Sequence, residues 1–171
     1  MEELLLSIQK SIEAANWYAA LCLALIIPDI CGKLENKHGI QKRYEEWYET
    51  YLNDYHGMLT ASDCYSLRCA YLHEGTDDIS SQRAREVLDK FIFVSKGPHL
   101  NRLTNNYFGD SVYDGKDILQ LSVTQFCTDI MVGAKKWLEN VESNASVKSN
   151  IEKMIKIEAS FSIGNAIKFV E

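Results

Sequence analysis

Apolar side chains recur at Leu4, Ile8, Ile12, Ala15, Ala19, Cys22 and Ile26, steps of three and four that keep one helix face apolar. This pattern predicts a single long amphipathic helix over 2–27. It also commits the chain to a mainly α fold, because so long an apolar face must be buried against other helices. Pro28 breaks or restarts the helix, and Pro28-Asp-Ile-Cys is expected to open a short second helix ending near Gly32, with Gly39 at the turn that follows. The apolar run Trp17 to Ile27 is shorter than the roughly 20 residues of a bilayer span, so it reads as a buried helix and no membrane association is expected.

The same spacing recurs downstream. Tyr44, Trp47, Tyr48, Tyr51 and Leu52 fall on one face of a helix over 41–54, an aromatic stripe of the kind that packs a core, and Gly57 closes the segment. Ser62 or Asp63 is an N-cap candidate for a third helical region reaching Glu74, where Gly75 supplies the left-handed residue that ends many helices. Phe91-Ile-Phe-Val and Asp117-Ile-Leu-Gln-Leu have the composition of short strands. Asp114-Gly115 has the signature of a tight turn between Val112-Tyr113 and Lys116-Asp117, so a small antiparallel β insertion is expected after the third helical region. Ser122-Val-Thr-Gln125 is a capping-box pattern ahead of Phe126, Ile130, Ala134, Trp137, Leu138 and Val141, which predicts a helix packed on the first. Ser143-Asn-Ala-Ser is a break, Val147 to Ile157 a further helix, and Ala166-Ile-Lys-Phe-Val a strand or docking segment. No repeat or linker divides 1–171, so one helical domain is expected over the whole range.

Charge narrows the function. A net charge of -6 does not suit a protein that coats nucleic acid, although it leaves room for a local site. The one basic cluster, Lys33, Lys37, His38, Lys42 and Arg43, reads as a solvated loop and helix start. Cys22, Cys31, Cys64, Cys69 and Cys127 are odd in number and lack paired spacing, which fits a reducing cytoplasm. The acidic N-terminus is unlike a secretory signal. No phosphate-binding glycine loop, nucleophile elbow or carboxylate metal helix occurs, and no cofactor is expected.

One constellation can carry chemistry: Arg68-Cys-Ala-Tyr-Leu-His73, followed by Glu74 and Gly75. Imidazole can move protons near neutral pH, and guanidinium stays protonated and grips phosphate oxygens in a bidentate way. On a straight α-helix, however, positions five apart are rotated by about 140°. The motif resembles the Arg-x4-6-His signature of the HEPN superfamily, helical proteins that include many metal-independent ribonucleases. The resemblance implies an up-and-down helical bundle, with Arg68 and His73 catalytic, Cys69 and Glu74 supporting, and no metal. It further implies a homodimer through the motif helices, single-stranded RNA as substrate, and a toxin-antitoxin or phage-defence role with a cognate antitoxin or regulator. The family most often has Asn, Asp or His after the arginine, where this chain has Cys69, a weak hydrogen-bonding group. The resemblance therefore also admits a catalytically silent interaction domain.

Other readings of the same residues remain open. Arg68 can pair with an acid such as Glu74 or Asp63 while His73 caps the helix end. Cys64, Cys69 and His73 fall short of a zinc ligand set, and Cys69 with His73 lacks an orienting acid for nucleophilic catalysis. His38, His56 and His99 are read as surface residues, and a small helical scaffold without a nucleic-acid role is the reading from outside the family.

Overall fold

Asn16 divides the long N-terminal pattern in two. In the computed structural model, which describes residues 1–55, 57–100 and 115–157 and the backbone of 161–163 and 167–169, α1 runs Glu2–Glu13 and α2 runs Trp17–Leu34. Ala15 turns left-handed (φ 54°) and Asn16 caps α2, its side-chain oxygen accepting from the Ala19 amide at 3.3 Å. The expected single helix over 2–27 is thus two helices, because an Asx cap satisfies amides that a continuing helix would leave to its own carbonyls.

Pro28 neither ends α2 nor opens a new helix. It lies buried inside α2, which continues through Gly32 to Leu34. With 18 residues and a mean hydropathy of 1.5, α2 is long and apolar enough to cross a membrane, unlike the shorter run read from the sequence. Here it is the central helix of a core. α1, α3 (Ile40–Tyr51) and α5 (Val123–Asn140) pack around it, and Ala20, Leu21, Ala24, Leu25, Ile27 and Cys31 are buried.

The remaining helices follow the apolar spacing closely. Gly39 starts α3 with φ 80°, and the stripe Tyr44, Trp47 and Tyr48 is buried, as core rather than as an exposed platform. α4 (Ala61–Cys69) is capped by Thr60, whose hydroxyl accepts from the Asp63 amide at 3.1 Å, rather than by Ser62 or Asp63. Asp63 is instead fully buried. Its carboxylate accepts from the amides of Glu86 (2.7 Å), Val87 (3.1 Å) and Leu88 (3.2 Å), fastening the loop after the motif to the bundle. Ser122 caps α5, and α6 (Ala145–Glu152), capped by Asn144, is shorter than the pattern over 147–157.

The strands form as expected but pair differently. β1 (Lys90–Val94) and β2 (Ile118–Ser122) are parallel, with Phe91 opposite Leu119 and Phe93 opposite Leu121. The expected antiparallel insertion is therefore corrected. The connection from Ser95 to Asp117 is long enough for the crossover that parallel pairing requires, and it carries the chain back to start β2 at the same end as β1. Residues 112–114 of the expected tight turn lie outside the described residues. At the C-terminal end β3 (Phe161–Ile163) and β4 (Ile167–Phe169) pair antiparallel, in keeping with a strand in the tail. Among the described residues the architecture is mainly helical, with six α-helices and these short strands.

Candidate active site

The helix that carries the motif changes its winding between the two residues of interest. α4 is α-helical to Cys69, and Ala70–Glu74 then forms a π turn, ended by Gly75 in the left-handed conformation (φ 68°, ψ 25°) with its amide bonded to the Ala70 carbonyl. Bonds of the i→i+5 type stack residues five apart, as α-helical bonds stack residues four apart. The rotation that separates Arg68 from His73 on a straight helix is thereby taken up, and Arg68 Nη1 lies 3.2 Å from His73 Nε2. A guanidinium can only donate, so Nε2 is the acceptor in this contact and its lone pair faces the cation.

Arg68 is aimed from a second direction. Asp29, one turn from the end of α2, accepts from Arg68 Nη2 at 3.4 Å through Oδ2, while its Oδ1 lies 2.6 Å from both Nε and Nη2 of Arg43 on α3. Arg68 and Asp29 are each only 16% exposed at the side chain, so this is a largely desolvated contact. Two guanidiniums on one carboxylate leave a net positive charge beside an exposed imidazole, an arrangement that attracts an anion. Gly32 allows it: a β-carbon there would stand 2.8 Å from Arg43 Cβ, so only glycine lets the Arg43 stem lie against α2. Arg68 Nε is buried with no acceptor among the described residues, an omission that costs about 1–3 kcal/mol in an ordinary core. A π turn and an orphaned guanidinium donor in the same short segment are both departures that gather at functional sites.

Arg68 pairs with Asp29 and not with the acids considered from sequence. Asp63 is engaged with backbone amides, and Glu74 accepts from Gln82 Nε2 at 2.7 Å. Cys69 offers its sulfur 4.0 Å from Arg68 Nη1, a long contact in place of an oxygen. Cys64 takes no part: it is fully buried with its sulfur 3.3 Å from the Tyr44 hydroxyl, and burial pushes its thiol up to about 12. Cys64, Cys69 and His73 thus do not converge, and among the described residues no group of three or more His, Cys, Asp or Glu side chains could hold a metal. In the basic cluster Lys37 bridges Glu35 (3.5 Å) and Glu46 (3.6 Å) and His38 is exposed, but Arg43, read from the sequence as part of the same solvated segment, is only 13% exposed at the side chain and is paired with Asp29.

Asp29 and Arg43 were not legible as site residues. The available signal was an acid standing in the apolar stretch Trp17–Leu34, a position where a carboxylate needs a buried partner. His99 was misread as a surface residue; it is half-buried, and His56 lies outside the described residues. The His99 Nδ1 accepts from the Ser122 amide at 3.1 Å, which leaves its proton on Nε2, 3.0 Å from the Tyr55 hydroxyl. That hydroxyl in turn donates to Asp129 Oδ2 at 2.9 Å. This chain of bonds joins the segment after β1 to α5, away from the motif. No protein-family model, no curated protein and no solved structure matches this chain, so the site is read from its own geometry.

Proposed function

We propose that this chain is a HEPN-like, metal-independent endoribonuclease that cuts single-stranded RNA, in which His73 moves the proton and Arg68 stabilises charge on the phosphate. The contact between Arg68 Nη1 and His73 Nε2 carries this reading, because the π turn brings a proton acceptor and a phosphate-binding cation to one point. His73 Nε2 takes the proton of the ribose 2'-hydroxyl, and the freed oxygen attacks the adjacent phosphorus. Arg68 turns from the imidazole to the equatorial oxygens, and the bond to the 5'-oxygen breaks as that oxygen takes up the proton that the His73 imidazolium carries, which restores the neutral ring. The products are a 2',3'-cyclic phosphate and a 5'-hydroxyl. Asp29 holds the guanidinium in place from behind. The up-and-down bundle arrangement, a homodimer through the motif helices, a cytoplasmic setting, and a toxin-antitoxin or defence role with a cognate antitoxin or regulator belong to the same proposal.

The test is cleavage of a fluorescent single-stranded RNA in EDTA by wild type and His73→Ala. His73 is exposed, so its loss leaves the fold intact, and the variant should cleave at least about 100-fold more slowly. A specific observation favours a second reading, a catalytically silent HEPN-like interaction domain. Arg68 is already paired with Asp29, and its neighbour Cys69 supplies a sulfur at 4.0 Å where an oxygen or nitrogen would orient it better. Equal cleavage by both proteins, or none by either, moves the assignment to that reading.

A further inference from the structure

Between the start of α2 and the motif segment lies a cavity of about 180 Å³ with aromatic walls: Trp17 and Tyr18 on α2, Tyr71 from the π turn, and Phe93 on β1, with Leu21 and Ser95 beside them. Tyr71 and Phe93 meet edge to face, ring centres 6.3 Å apart, and the Tyr71 hydroxyl donates to the Tyr18 carbonyl at 3.2 Å. The Tyr71 and Phe93 rings are therefore positioned by contacts within the chain. Tyr18 is 81% exposed even so, a large aromatic held at the rim of a pocket rather than folded into it.

We propose that this cavity takes a nucleobase of the RNA strand whose phosphate Arg68 holds. The inference rests on the ribonuclease reading and adds where the strand lies. Tyr71 stands in the chain between Arg68 and His73, so the cavity and the reactive pair share one segment. On α2 the cavity is marked by Tyr18 and the phosphate-facing pair by Asp29, eleven residues or about 16 Å apart along the axis, a distance that a few nucleotides of extended strand cover. Unpaired bases are held in proteins by stacking on Tyr, Trp and Phe rings, and such stacking tolerates any base because every base has a π-face. An acidic chain needs this kind of contact more than a basic one does. With a net charge of -6 it draws little affinity from the phosphates outside the Arg68–Arg43 pair.

The experiment is fluorescence anisotropy of labelled pentauridylate, and of a chain of equal length with abasic riboses, against the His73→Ala protein. The base-bearing strand should bind at least about fivefold tighter than the abasic one, and adding Tyr18→Ala should erase that preference while leaving abasic affinity and helical CD unchanged. Trp17→Ala provides a second variant, at the lining residue beside Tyr18 on α2. Equal affinity for the two strands, absence of binding, or a preference that survives both substitutions overturns the pocket. The nuclease reading stands or falls separately. Base-dependent binding without His73-dependent cleavage keeps the pocket and removes the enzyme, whereas cleavage with base-indifferent binding does the reverse.

Discussion

Asp29 Oδ2 lies 3.4 Å from Arg68 Nη2 while Oδ1 of the same carboxylate lies 2.6 Å from Arg43, so one acid on α2 sets the position of two cations from two other helices. Removing its charge leaves two largely buried guanidiniums facing each other without a counter-ion. Asp29→Asn should lower stability by about 3 kcal/mol, the scale for breaking a buried pair from one side. On the proposed ribonuclease reading it should also impair cleavage at temperatures where the fold persists, because Arg68 loses its second anchor. Guanidinium unfolding monitored by CD measures the first effect. A midpoint within error of wild type would show that the pairs are solvated ornaments of the surface.

Gly75 tests the π turn without touching Arg68 or His73. Its φ of 68° is left-handed, yet a β-carbon added there meets nothing within 4 Å, so substitution is penalised by backbone conformation alone. Gly75→Ala should cost about 1 kcal/mol, and Gly75→Asn less, since Asn enters this region more readily. Because the Gly75 amide bonds to the Ala70 carbonyl and closes the turn, the Ala variant should lose more cleavage than its stability loss explains. Thermal unfolding of both variants beside their cleavage rates distinguishes this from simple destabilisation.

Asp63 shows how a charge can be structural in the same helix that carries the candidate chemistry. Fully buried, it accepts from three consecutive backbone amides of the loop that leads from the motif to β1. Asp63→Ala should leave those amides without an acceptor and cost about 3–5 kcal/mol. Hydrogen exchange at Glu86 to Leu88 should rise well before global unfolding. Continued protection there would mean that the loop is held by something else.

Much of the fold was legible because burial leaves a period in the sequence. The stripes on α3 and α5 fall where they were read, and Gly75 ends the motif helix as its identity predicted. What was illegible depends on competition between local and distant contacts. Asn16 could cap or continue a helix, and the cap wins because its side chain reaches the Ala19 amide. Pro28 could break a helix, yet the packing of α2 against its neighbours outweighs the hydrogen bond it removes. The parallel direction of β1 and β2 is a property of the connection between them, which strand composition does not encode. For the site, the spacing of Arg68 and His73 was visible but their meeting was not. It requires a π turn, for which no residue type is a signature, and an acid 39 residues upstream in the chain, whose partner only the fold supplies.

His99 gives the fold a dependence on pH. Its Nδ1 accepts the Ser122 amide and its Nε2–H faces the Tyr55 hydroxyl, a pattern that only the neutral ring can make. Burial pushes its pKa below the ordinary histidine value of about 6.5, partly opposed by the nearby Asp129 carboxylate. The folded state then binds fewer protons than the unfolded chain in the interval below about 6.5, so stability is fully present above that value and falls as pH drops through the lowered folded pKa. Protonation would set two N–H groups against each other at Ser122 and release the segment after β1 from the start of α5. His99→Asn, which keeps an acceptor near the Ser122 amide but cannot titrate, should be less stable than wild type at pH 8 and lose less stability on going to pH 5. The measurement is chemical unfolding of both proteins at pH 8, 6.5 and 5, and parallel losses in the two would assign the acid sensitivity to other groups.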